Sequence, residues 1–380
     1  MRRSRRVRLA VMVGAPLLVL GGLAGVIVLG TTDGAPQWAV DFDTALVEHL
    51  PEQLAPFLYR ILGQGQFHDI HAVDAAPPAI QPGTQPPPGC GRPAAPPRPG
   101  TLERVALRSA ALKGAVRDLV VYLPPSYFQP RAACWRYPVA YLLDGWPASA
   151  ADWFTSGHAQ ETADHLIQAR TVEELIIVSA DGNGGLHQQP LWANAYDGSE
   201  LDETFLVRDV VGYVDHHFRS WGDAQHRAIG GLSDGGFGAA NIGLHHPELF
   251  GSGMALSGIY TAPARWPFDD DPVYRRAYSP LAYIDDPPVT ASAREQFWFL
   301  GAGLNDGVYY RQTRALDHAF AQLGIPHVTR YWPGGHSWHY WGQMLGQALP
   351  YFDQRFSAPS DTYAAPAAPP EQWPGAHPSG

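Results

Sequence analysis

Apolar residues between about residues 101 and 357 gather in short runs, LVVYLP, PVAYLLD, ELIIVSA, HRAIGG, GSGMALSG, QFWFLGAG and HVTRYWP, each bounded by Gly, Pro or Asp. Runs this short, apolar on successive residues and rich in β-branched and aromatic types, predict strands buried on both faces. Between them the apolar positions recur at three- and four-residue spacing, which predicts helices over 202–218, 235–245, 309–323 and 338–353. Alternation of the two patterns implies an α/β fold: a mostly parallel central sheet with helices on both faces.

The pattern changes outside this stretch. Residues 1–8, MRRSRRVR, carry five arginines and run into an apolar segment, 9–30. About 20 apolar residues match one bilayer crossing, and a basic flank stays inside, so the remainder is expected outside as a single-pass, membrane-anchored domain. The segment is long and ends in GTTDGAP without an A-x-A site. A retained transmembrane helix is therefore expected over a cleaved signal, whose product would be secreted. The string SRRVRLA partly resembles a twin-arginine export signal.

Within 31–74, residues Ala45, Leu46, Leu50, Leu54, Phe57, Leu58, Ile61 and Leu62 predict two short amphipathic helices, with Pro51 at a helix start. Residues 75–100 are too proline-rich to pack and read as a stiff linker. The catalytic domain is expected over 101–357, and 358–380 read as a disordered Pro/Ala-rich tail.

Composition narrows the function. A hydrophobic content of 45% supports a sizeable core, and a net charge of -10 supplies no basic surface for nucleic acid. The two cysteines, Cys90 and Cys134, are too few for a disulfide scaffold, and one bridge between them is left open. Sixteen histidines include His216-His217 and His245-His246 but no HExxH or other spaced ligand set, so no metal and no cofactor are expected.

The sharpest motif is HRAIGGLSDGGFGAANIGLHHPELF, where a predicted strand meets Gly231-x-Ser233-x-Gly235 and continues as a helix. A serine hydroxyl becomes a useful nucleophile only where a base can take its proton, so it must stand clear of the sheet on a sharp turn. Flanking glycines let the backbone crowd it. In the chain order Ser, acid, His, Asp306 follows the strand QFWFLGAG and His336 lies in the glycine-bounded loop after HVTRYWP. His339, three residues on, is the competing base and reads instead as a packing or surface residue. Acyl transfer also needs two N-H donors for the oxyanion. They are assigned to the backbone of Asp234 and of Trp146, the latter in the loop after PVAYLLD. Asp144 has two open roles, contact with a substrate hydroxyl or bracing of that loop.

These residues carry a resemblance. The segments YLLDGW, ETFLVRDVVGYV, GLSDGG followed by FGSGMALSG, and above all HSWHYWG are similar to motifs of the "Putative esterase" branch of the α/β-hydrolases. That branch includes esterase D-like enzymes and the secreted trehalose mycolyltransferases of actinobacteria. The resemblance runs from about Leu119 to Phe352 and implies Ser233 as nucleophile, Asp306 as acid, His336 as base, Trp146 and Asp234 as oxyanion donors, and Trp338 as a residue lining the site.

It departs from the mycolyltransferases in two places. Trp146 and Pro147 stand where those enzymes carry a leucine and a sugar-binding arginine, and Asp306 stands where they carry glutamate. Without the guanidinium, hydrolysis of a carboxylic ester is expected ahead of acyl transfer from an acyl-lipid to a sugar hydroxyl in the cell envelope. A third reading, a non-catalytic relative that binds carbohydrate or matrix protein, is disfavoured because no member of the triad is missing. Oligomeric state is not fixed by any of these patterns.

Overall fold

A computed structural model of the chain describes residues 72–74, 98–184 and 189–357. The expected anchor over 9–30, the amphipathic helices over 41–62, most of the linker and the tail over 358–380 lie outside the described residues. Among the described residues no helix is long and apolar enough to cross a membrane.

Among the described residues nine strands form one sheet: β1 (Ala72–Asp74), β2 (Thr101–Arg108), β3 (Val116–Leu123), β4 (Val139–Leu143), β5 (Ile176–Ala180), β6 (Arg227–Leu232), β7 (Ser252–Leu256), β8 (Phe297–Gly303) and β9 (His327–Trp332). Their order is β1-β2-β3-β5-β4-β6-β7-β8-β9. Strand β3 runs antiparallel to both β2 and β5, and from β5 through β4 to β9 all pairing is parallel. The seven predicted runs coincide with β3 to β9. Missed were β1, the end of the segment read as helical, and β2. Strand β2 lies near the edge, where Glu103 and Arg104 are half-exposed and interrupt the apolar run.

The α-helices among the described residues are α1 (Asp152–Thr155), α2 (Ala159–Gln168), α3 (Asp202–Thr204), α4 (Val211–His217), α5 (Asp234–His245), α6 (Pro272–Ala277), α7 (Pro280–Tyr283), α8 (Pro287–Ala293), α9 (Gly307–Leu323) and α10 (Trp338–Phe356). The single helix expected over 202–218 is realised as α3 and α4 joined by a π-helical stretch, Phe205–Val210. Successive strand residues feed opposite faces, as the pleat requires. Val139, Tyr141 and Leu143 of β4 join Ile176 and Val178 of β5 in a core covered by Phe205, Val210 and Val214 and by Ala239 and Ile242 of α5. Ala140 and Leu142 join Val120 and Tyr122 in the opposite core, under Ala163 and Ile167 of α2 and Met344, Leu345 and Phe352 of α10. With both faces covered, every residue of β4, β5, β6 and β7 is buried.

Strand order reverses on either side of β4, and α/β sheets carry their sites at the carboxyl ends of the strands flanking such a switch. The chain leaving β4 carries Trp146, and the chain leaving neighbouring β6 carries Ser233. Topology thus brings together two loops that lie far apart in sequence.

The insertion between β7 and β8, which holds α6 to α8, is tied to α5 by a buried polar cluster. His245 Nδ1 and His246 Nε2 each lie 3.0 Å from Glu203 Oε1, and the Tyr278 hydroxyl donates to Glu203 Oε2 at 2.6 Å. Burial by itself would raise the Glu203 pKa, but His245 and His246 outweigh it and hold the carboxyl below its usual range. Burial disfavours charged His246, yet its bonds to Glu203 and Glu248 win and raise it to about 9.

A histidine raised in the fold stabilises it fully below the unfolded value near 6.5 and loses that contribution as pH rises through the folded value. Urea unfolding is therefore expected to show wild type losing roughly 2 kcal/mol more than His246→Gln between pH 7 and pH 10. Equal losses in the two proteins would show that the cluster does not favour the imidazolium.

Candidate active site

The nucleophile loop is built from close approaches that only glycine permits. A methyl group on Gly231 would lie 2.1 Å from Gly235 O, and one on Gly235 would lie 2.3 Å from Leu143 O and 2.4 Å from Asp144 O. The G-x-S-x-G spacing therefore folds the turn onto itself and seats it against the end of β4. Ser233 pays for this with φ 54° and ψ -118°, a region that costs a non-glycine residue about 1–3 kcal/mol. Its N-H is anchored on Leu256 O at 2.9 Å, and its side chain stands ahead of the amino end of α5.

Two further loops converge on it. Asp306 lies between β8 and α9, and His336 between β9 and α10. Their loops are zipped together by Leu304 N-H donating to Trp332 O and Asn305 N-H donating to Gly334 O, both at 2.9 Å. A methyl group on Gly303 would lie 2.4 Å from Gly334 O, so this contact too requires glycine. His336 Nε2 lies 2.9 Å from Ser233 Oγ and His336 Nδ1 lies 2.9 Å from Asp306 Oδ1. An ionised Asp306 only accepts, which puts a proton on Nδ1 and leaves Nε2 as acceptor for the serine hydroxyl. The Asp306 side chain is 1% exposed and that of His336 14% exposed. His339 is exposed, with Nε2 3.1 Å from Gln343 Nε2, and takes no part.

Aromatic rings fix the imidazole plane. Tyr309 stacks on His336 at 4.0 Å between centroids, and Trp341 meets it edge-on at 4.7 Å. Trp341 is itself held by Nε1 donating to Ser257 Oγ at 3.0 Å. Both rings escaped the sequence reading, although Trp341 sits in the same HSWHYW string as the base. Trp338 packs edge-on against Trp341 and Trp153, each at 5.5 Å, so it lies one ring removed from His336 and half-buried beside the site.

Neither the Trp146 N-H nor the Asp234 N-H donates a hydrogen bond among the described residues. For Asp234 this follows from its place at the first position of α5, where no preceding carbonyl is in reach. The Asp234 carboxyl is pushed up to about 6 by burial, with Arg265 and His336 opposing the rise. Asp144 requires a correction. Its side chain is fully buried, out of reach of a substrate hydroxyl, and neither carboxyl oxygen makes a hydrogen bond of ordinary geometry among the described residues, so no bracing of the loop is seen either. Burial, together with Asp181 and Asp152, drives its pKa well above the carboxylate range, opposed by the nearby Gly182 N-H. No cluster of His, Cys, Asp and Glu that could hold a metal occurs among the described residues.

A nucleophile, a base and a carboxylate in line, with two free N-H groups nearby, are the parts of a covalent acyl-transfer site. Comparison with known proteins agrees. Among solved structures, a ferulic acid esterase superposes with a TM-score of 0.61 at 29% identity, covering 68% of this chain and all of that one. An endo-1,4-beta-xylanase/feruloyl esterase of Xylanibacter ruminicola is 31% identical over 160 residues, 42% of this chain and 22% of that protein. An esterase of Mycobacterium tuberculosis is 29% identical over 260 residues, 57% of this chain and 51% of that protein. The chain thus spans about half or less of the length of these two relatives. The family model described as "Putative esterase" matches residues 109–352, from the loop after β2 to the last turns of α10, and the chain belongs to that family.

Proposed function

We propose that the chain is a serine-dependent carboxylic ester hydrolase working through an acyl-enzyme. The observation that carries this reading is His336, which bridges Ser233 Oγ and Asp306 Oδ1 at 2.9 Å each. In the proposed cycle the Ser233 oxygen attacks the ester carbonyl carbon as its proton passes to His336 Nε2. The N-H groups of Trp146 and Asp234 hold the resulting oxyanion. Collapse breaks the bond to the alcohol oxygen, which leaves with the proton from Nε2. Water then attacks the acyl-serine, giving its proton to Nε2, and a second collapse releases the carboxylic acid and restores Ser233. Asp306 holds the imidazole in the accepting tautomer and steadies its charged form. No cofactor enters any step.

Hydroxycinnamate esters are the proposed first substrates, on the strength of the two relatives named for feruloyl and ferulic acid ester cleavage. The test uses the full chain in detergent micelles, given methyl ferulate or p-nitrophenyl butyrate, each with and without trehalose. Free acid is expected as the product in every case. An acylated sugar would instead establish the acyltransferase alternative, and no turnover of either ester would leave the carbohydrate- or matrix-binding alternative.

The proposed location is outside the cytoplasm, with the chain held at the membrane by residues 9–30. Cys134 is disulfide-bonded, a state that persists in oxidising compartments; the chain's other cysteine, Cys90, lies outside the described residues. Alkaline phosphatase fused after Gly380 is expected to be active in a bacterial host, and an inactive, full-length fusion would place the domain inside.

A further inference from the structure

We infer that Asn183, in the loop after β5, is a positioning residue that aims the Trp146 N-H at the reacting centre by gripping the other end of the same peptide group. The inference rests on the hydrolase reading above. Asn183 Nδ2 donates to Gly145 O at 2.9 Å and to Ala148 O at 2.7 Å. Two carbonyl acceptors require the amide nitrogen on that side, which fixes the orientation of the side chain. Asn183 is itself held by its N-H donating to Asp181 Oδ1 at 2.8 Å.

The consequence follows from peptide geometry. Gly145 O and Trp146 N belong to one planar unit, and in a trans peptide the C=O and N-H point in opposite directions. Cis bonds among the described residues are confined to Trp146-Pro147 and Trp266-Pro267, so the Gly145-Trp146 unit is trans. A methyl group on Gly145 would lie 2.9 Å from Ser233 Cβ, which places this unit directly beside the nucleophile. With its oxygen taken by Asn183 and by the Ala148 N-H at 2.9 Å, the unit presents its N-H on the other side, where no acceptor among the described residues meets it.

The two preceding carbonyls are also secured. Trp153 Nε1 donates to Leu143 O and Trp192 Nε1 to Asp144 O, both at 3.0 Å. Three successive carbonyls at the end of β4 are thus held by side chains from two segments, Trp153 of α1 and both Asn183 and Trp192 of the connection between β5 and α3. Of these side-chain bonds only the one from Asn183 falls on the peptide that carries the donor, where it joins the backbone bond from Ala148 N-H. Donation to its oxygen also polarises that peptide and strengthens its N-H toward an anion.

An N-H that meets charge only in the tetrahedral species stabilises the transition state and leaves substrate binding alone. Asn183→Ala and the isosteric Asn183→Asp are therefore compared with wild type and Ser233→Ala as full chains in micelles. The readouts are kcat and KM for p-nitrophenyl butyrate and Ki for an alkyl trifluoromethyl ketone, which adds the serine oxygen to form an anionic hemiketal. Asn183→Ala is expected to lower kcat by about 10- to 100-fold with KM within about threefold, and to raise Ki by the same factor as kcat falls. Asn183→Asp, which sets a carboxylate against two carbonyl oxygens, is expected to lose more.

Unchanged kcat in both variants would overturn the inference, as would a fall in kcat with Ki unmoved or a matching rise in KM. Should Asn183→Ala not fold, Asn183→Asp decides by the same readouts, and failure of both to fold would assign the residue to folding instead. The hydrolase reading fails separately, by wild type showing no turnover or by Ser233→Ala retaining it.

Discussion

Ser233→Ala is expected to lower kcat for any ester substrate by about 10⁴- to 10⁶-fold and to abolish labelling by a fluorophosphonate, while leaving the fold intact. The loss is large because the acyl-enzyme route ends when the attacking oxygen is removed, and only polarisation of the carbonyl by the two N-H donors remains. The fold should survive because the strained backbone of the turn does not depend on the hydroxyl. Alanine keeps the Cβ already accommodated at φ 54°, the glycine contacts at 231 and 235 are untouched, and the anchoring bond from the residue 233 N-H to Leu256 O is a backbone bond. The side chain gives up one hydrogen bond to His336, worth about 1 kcal/mol, so the thermal midpoint should move by only a few degrees. Mass spectrometry of the probe-treated proteins reads the result directly. A variant that still gains the mass of the probe would move the nucleophile elsewhere.

Asp306→Asn should cost about 10³- to 10⁴-fold in kcat, out of proportion to a change of one atom in a side chain that need not touch the substrate. The carboxylate accepts from Nδ1-H and so leaves Nε2 free to take the serine proton. An amide can turn its NH₂ toward Nδ1 and stabilise the other tautomer, in which Nε2 carries the proton and faces Ser233 Oγ with nothing to accept it. The carboxylate also offsets the imidazolium that forms during attack, in a site where Asp306 Oδ2 is buried without a hydrogen-bond partner and little water is available to do so. Comparison of single-turnover acylation in the two proteins isolates this step. Equal acylation rates would show that the Asp306 carboxylate plays no part in acylation.

The parts of the site that could be read along the chain were those whose chemistry is local. Glycine at 231 and 235 around Ser233 reports a tight turn because the clash it avoids involves residues only a few positions away, as the contact between Gly231 and Gly235 bears out. Asp306 and His336 could be placed because each lies in the loop just after a strand whose apolar run is visible in the sequence. Asp144 stayed open between two roles for the complementary reason. Its position after β4 suggested the site, but whether a side chain there points to the surface or under the loop depends on what packs over it. Strands β1 and β2 were missed because an edge strand has no need of a continuous apolar run, so nothing in TLERVALR separates it from a polar connection. Tyr309 and Asn183 carry no signature of their own, since a ring that stacks on an imidazole and an amide that grips a carbonyl are defined by their partners.

The sequence by itself determined the α/β class, seven strands of the sheet, the glycine-bounded turn that carries Ser233, and the chain order in which Asp306 and His336 follow it. It could do so because strand burial, helical periodicity and the glycine-bounded turn are properties of neighbouring residues. Only the tertiary structure decided that the loop after β4 lies against the loop after β6, that Asp144 is buried, and that Asn183 holds the peptide beside Ser233. Those facts depend on the reversal of strand order around β4, which brings into contact residues some ninety positions apart for reasons of chain topology that no local pattern encodes.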